Sequence, residues 1–159
     1  MNTRTRIFAT LTLAATLMIT SFSSSTSVLA RSGCQRVKGN ESVINNGNGT
    51  TKGTITQSGR LSGTTQSVFT SGFTPTPDPN TFSFTDILTI TTEGGTLLTH
   101  NVTLFDVSNG VFSAIARIDP TAGAGEFVNA TGVLYINGKT TDGGATFQGD
   151  IIGEICSAN

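Results

Sequence analysis

Tryptophan is absent from this chain of 159 residues, histidine and tyrosine occur once each, and cysteine occurs twice. Each scarcity removes a class of chemistry. One histidine, His100, leaves no His pair for a zinc centre, and any Ser-His-Asp arrangement would have to use that single ring. Two cysteines without a neighbouring ligand cluster exclude a cysteine-rich metal site, and no acidic loop has calcium-binding spacing. Charged residues make up only 12% of the chain and form no basic stripe. That argues against nucleic acid, whose phosphates need clustered Lys and Arg, and against an anionic membrane surface. No serine sits in a nucleophile elbow, and Gly123-Ala124-Gly125 lacks the helix and lysine of a phosphate loop. No cofactor or metal is expected.

Long apolar runs are also missing. The longest, Ile7 to Ile19, covers about 13 residues, too few to cross a bilayer of about 30 Å as a helix. It follows Arg4 and Arg6 and precedes Val28-Leu29-Ala30, the small-residue pattern of a signal-peptide cleavage site. Residues 1–30 are therefore expected to be a signal peptide and residues 31–159 a single domain. The product would be secreted, extracellular or periplasmic, with no membrane association after cleavage. An arginine at position 31 argues against lipid attachment at Cys34. The mature part carries seven Lys and Arg against ten Asp and Glu, a formal charge of −3.

Glycine, threonine and alternation are abundant. All 19 glycines fall after residue 30, and glycine disfavours helix interiors while threonine favours strands. Apolar residues alternate, as a half-buried strand requires. Strands are expected over 35–43, 50–57, 61–71, 82–92, 96–107, 111–118, 126–136 and 145–156. Turn signals separate them, among them Asn45-Asn46-Gly47, Ser58-Gly59, Asn109-Gly110 and Asp142-Gly143-Gly144. The segment Thr74-Pro75-Thr76-Pro77-Asp78-Pro79 reads as a stiff, extended connector. Asn40, Asn48, Asn101 and Asn129 begin Asn-x-Ser/Thr triplets, which matter only in a eukaryotic secretory pathway.

Cys34 and Cys156 stand at the two ends of the mature segment, and export favours their oxidation to a disulfide. Such a bridge makes the first and last strands neighbours. The expected fold is therefore all-β: an eight-stranded antiparallel barrel whose N- and C-termini are joined by a disulfide. Eight strands leave an interior wide enough for side chains or one small ligand.

The hairpin around Glu93-Gly94-Gly95 holds the candidate site. Phe82, Phe84 and Leu88 share an apolar face with Asp86. Leu98, Val102 and Leu104 share one with His100. A three-residue loop pairs residues whose numbers sum to 188, so Leu88 would oppose His100 and Asp86 would oppose Val102. Asp86 and His100 then become diagonal neighbours, within reach across a strand pair. A carboxylate beside an imidazole in an apolar interior suits acid–base catalysis or ligand orientation, with Asp86 and His100 as the catalytic candidates. Phe82, Phe84, Asp86, Leu88, His100 and Val102 would line a ligand site. The alternative is a bulge at Asp86-Ile87 that turns the acid outward. Asp106 reads as a turn residue before Ser108-Asn109-Gly110.

The segment Thr121-Ala122-Gly123-Ala124-Gly125-Glu126-Phe127-Val128-Asn129-Ala130-Thr131-Gly132 resembles the G-x-G-x-F-x-x-A-x-G stretch of dirigent proteins and allene oxide cyclases. The closing Phe147 to Cys156 is similar to the last strand of uncharacterised bacterial secreted proteins of that barrel type. The resemblance implies an eight-stranded antiparallel barrel. Its residues are fold determinants: Gly123 and Gly125 allow a tight approach to the strand, Phe127 enters the core, and Gly132 leaves room for close backbone. It carries no catalytic residue, and a fold does not fix a function. The leading expectation is a secreted barrel that binds a small apolar molecule inside. The alternatives are a cyclase- or dirigent-type enzyme shaping a reactive intermediate, and a structural or cell-surface interaction protein with a filled core. Oligomeric state is open.

Overall fold

The computed structural model describes residues 33–157; the expected signal peptide lies outside them. Eight long strands carry the fold: β1 (Cys34–Asn45), β2 (Thr50–Thr56), β3 (Gly63–Phe69), β5 (Thr81–Thr92), β6 (Gly95–Asp106), β7 (Val111–Ile118), β9 (Thr131–Lys139) and β10 (Thr146–Cys156). Two short pairings, β4 (Thr74–Pro75) and β8 (Ala124–Gly125), attach to β5 and β6. Each long strand pairs antiparallel with the next in the chain, and β10 returns to β1. The sheet is therefore a closed up-and-down barrel, and closure leaves no long edge unpaired. Cys34 opposes Cys156 in the β1–β10 ladder, and the two form the expected disulfide.

Alternation along every strand sorts the two faces. One end of the interior is a packed apolar core of Val37, Ile55, Ile90, Leu97, Leu134, Ile151 and Ile155. Leu61 and Phe127, both fully buried, close it from the connections below. The Arg60 guanidinium lies 5.0 Å above the Phe127 ring and donates to Glu126 at 3.2 Å and to the Ser157 hydroxyl at 2.9 Å, so it seals that end. The other end is open, ringed by the connections at 46–49, 70–80, 107–110 and 140–145.

Two expectations need correction. The segment 126–136 is not one strand. Residues 126–130 form a turn that seats Phe127 in the core, with Asn129 at φ 55°, and β9 begins only at Thr131. The hairpin loop is also shorter than expected. Thr92 pairs with Gly95, so only Glu93 and Gly94 turn, and opposed residues sum to 187. The Thr92 hydroxyl ties this turn by accepting from the Gly94 amide at 3.1 Å and donating to the Gly95 carbonyl at 3.2 Å. Gly95 is held at φ 146°, where a Cβ would lie 2.1 Å from the Ala124 carbonyl oxygen of β8. Gly95 thus belongs to the strand because β8 packs directly on it. A one-residue change of register reverses every side chain of the partner strand. On β6 the inward residues are Leu97, Thr99, Asn101 and Thr103; His100 and Val102 point out. The β5–β6 ladder runs unbroken from Thr81 to Thr92, so there is no bulge at Asp86-Ile87 and Asp86 faces inward.

Candidate functional site

The open half of the barrel holds a cavity of about 110 Å³. Its lining has two chemistries. Six phenylalanines surround it: Phe69, Phe73, Phe84, Phe105, Phe112 and Phe147. Only eight occur after residue 30, so the phenylalanines of that segment are concentrated at this one end. Phe73 comes from the proline-containing connection and meets Phe84 in a tilted contact, ring centres 4.9 Å apart and planes at 57°. It is half-exposed, so it stands at the mouth. Phe82 meets Phe73 edge-on at the rim. Phe112 lies against the wall because Gly138 has no side chain; a Cβ there would fall 2.6 Å from its ring.

Beneath the rings lie two carboxylates, Asp86 from β5 and Glu41 from β1. Their residues are only 6% and 7% exposed. Asn101, directly across the ladder from Asp86, donates its side-chain amide to Asp86 Oδ2 at 2.9 Å. The Thr103 hydroxyl approaches Oδ1 at 3.5 Å, and Thr99 donates to Asn101 Oδ1 at 2.7 Å, fixing the amide orientation. Thr51 and Ser67 hydroxyls pair at 2.9 Å on β2 and β3, the two strands that lie between β1 and β5. Burial pushes the Asp86 carboxyl up to about 6, against the lowering effect of Asn101 and Thr103. Burial likewise raises Glu41 to about 7; the Thr65 hydroxyl lowers it and the Asp86 charge raises it. The cavity lining contains no Lys, Arg or His among the described residues. Two acids raised towards neutrality therefore line one cavity that holds no basic side chain among the described residues.

Of the residues singled out by sequence, Phe84, Asp86 and Leu88 line the cavity, and Phe82 stands at its rim. His100 and Val102 do not reach it. Val102 is 57% exposed on the outer wall. The His100 ring meets Asp119 outside, Nε2 to Oδ2 at 3.1 Å. The structure therefore separates Asp86 from His100 and places it in the same cavity as Glu41. Sequence reasoning missed Glu41, although its position was informative: Val37, Glu41 and Val43 share one parity of β1, with an acid among apolar neighbours. Asn101, start of one Asn-x-Thr triplet, is buried in this network and closed to glycosylation; Asn40, Asn48 and Asn129 are exposed. Asp106 is a turn residue as expected, accepting from the Ser108 and Asn109 amides.

Compared with protein-family models, curated proteins and solved structures, the chain matches none. The functional reading therefore rests on the cavity itself.

Proposed function

We propose that this protein is a secreted barrel that binds a small, largely apolar molecule in the open half of its interior. The carrying observation is the division of that interior: one end filled with aliphatic side chains, the other left as a phenyl-lined cavity with a few polar groups at its base. Apolar walls with a small number of placed polar groups are the usual composition of a ligand pocket. A volume of about 110 Å³ is of the order that admits a single aromatic ring, since an engineered cavity of roughly 150 Å³ takes up benzene.

The test is titration of the mature, disulfide-bonded protein with toluene, followed through the methyl resonances of Leu88, Ala114 and Ile136. These three line the cavity and should shift together and saturate, while Val102 and Ile115 on the outer wall stay fixed. Unmoved cavity methyls at saturating toluene would overturn the proposal and favour a structural role. A second reading, an enzyme of the cyclase type, is supported by the carboxyl pair, because acids with values near 6 and 7 can exchange a proton at neutral pH. Under that reading Asp86→Asn would abolish turnover of a substrate while leaving toluene binding intact.

A further inference from the structure

We infer that the natural ligand of this cavity is a small organic amine, its ammonium group held between Asp86 and Glu41 and its hydrocarbon body among the phenyl rings. This rests on the ligand-binding reading above and names the ligand's chemical class.

The first argument is charge. Two carboxylates line the cavity and no basic side chain does, among the described residues. A buried carboxylate without a counter-charge is costly, and a second one beside it adds repulsion. An anionic ligand such as a fatty acid would make this worse. A neutral ligand would leave the charge uncompensated, whereas a cation removes the deficit.

The second argument is hydrogen bonding. Asp86 is oriented by Asn101 and Thr103, both on β6. Glu41 has the Thr65 hydroxyl as its one side-chain hydrogen-bond partner among the described residues, which leaves acceptor capacity on the carboxylate. Glu41 is more than nine-tenths buried and lines the cavity, so its carboxylate is presented to whatever enters. An ammonium carries several N–H donors and can serve both acids at once.

The third argument is the aromatic wall. Phenyl faces attract a cation and accept its hydrocarbon substituents. A hydrated calcium or magnesium ion would instead need six or more oxygen ligands or retained waters, which a wall with six phenyl rings does not supply.

The test compares 2-phenylethylamine with 2-phenylethanol, matched in size, by calorimetry on the mature protein. At pH 8 the amine should bind at least about tenfold more tightly, the scale of one charge-assisted hydrogen bond. Its advantage should shrink as pH falls to 5 and the carboxyls take up protons. It should drop to within about threefold in the double variant Glu41→Gln/Asp86→Asn, whose fold is checked by circular dichroism. Should that variant not fold, the wild-type comparison and its pH dependence decide alone. Equal binding of amine and alcohol would overturn the inference and leave apolar binding standing. Binding of neither would overturn both. Uptake of calcium chloride with no response to the amine would also overturn it.

Discussion

Replacing Glu41 by Gln removes a charge that the fold holds at a cost, and the size of that cost follows from its position. Burial raises the Glu41 carboxyl from an ordinary 4.5 to about 7. In the unfolded chain it ionises near 4.5; in the barrel it stays protonated to about 7. Between those values the folded state binds more protons, so stability falls as pH rises through this window and levels off above it. A displacement of that size corresponds to about 3 kcal/mol at pH 8, at 1.36 kcal/mol per unit. Gln does not ionise, so the difference in unfolding free energy between Glu41→Gln and wild type should change by about 3 kcal/mol in the variant's favour from pH 4 to pH 8. The pH-independent effects of the amide cancel in that comparison. Urea denaturation of both proteins with the disulfide intact measures it, as a relative midpoint shift of about 1.5 M at a typical slope. A difference independent of pH would refute the assignment of Glu41 as a buried acid held near neutrality.

Other outcomes follow from the same structure. The Cys34–Cys156 bridge spans 122 residues; the double variant Cys34→Ser/Cys156→Ser should lose about 3–5 kcal/mol in urea unfolding while keeping its far-ultraviolet signature, because the β1–β10 ladder remains. His100→Ala, on the outer wall, should change stability by less than about 0.5 kcal/mol and leave ligand binding unaltered by calorimetry. Gly132→Ala should cost about 2–4 kcal/mol in urea unfolding and lower the yield of folded protein, since Gly132 sits at φ 143° and a Cβ would fall 2.0 Å from the Glu154 carbonyl oxygen.

The barrel was legible in the sequence because period-two alternation, turn residues and terminal cysteines all point the same way. Phe127 and Gly132 also behave as their motif suggests: one is fully buried, the other admits close backbone. The site was legible only on β5. There the apolar residues face inward, so Phe84, Asp86 and Leu88 were found. On β6 the rule inverts. Val102 and Leu104, 57% and 49% exposed, lie outside, while Thr99, Asn101 and Thr103 are buried. Hydrophobicity assigns faces only where the interior is apolar, and beside the acid pair it is not. Val102 also aligns with Ile115, Tyr135 and Ile152 in an apolar row across four strands of the outer wall, which deepens the ambiguity. The register itself depends on Gly95 touching β8, a contact set by a segment some thirty residues away, and no local pattern encodes it. That Asp86 and Glu41 share one cavity likewise depends on the β1–β2–β3–β5 ladders, which bring together residues 45 positions apart.

The most direct measurement is carbon-detected NMR of the side-chain carboxyl resonances of Glu41 and Asp86 across pH 3 to 9, with and without 2-phenylethylamine. The pair should titrate in two steps near 6 and 7 when free, and both steps should move to lower pH when the amine is bound. Midpoints near 4 that ignore the amine would contradict the claim that these two buried acids form the binding site.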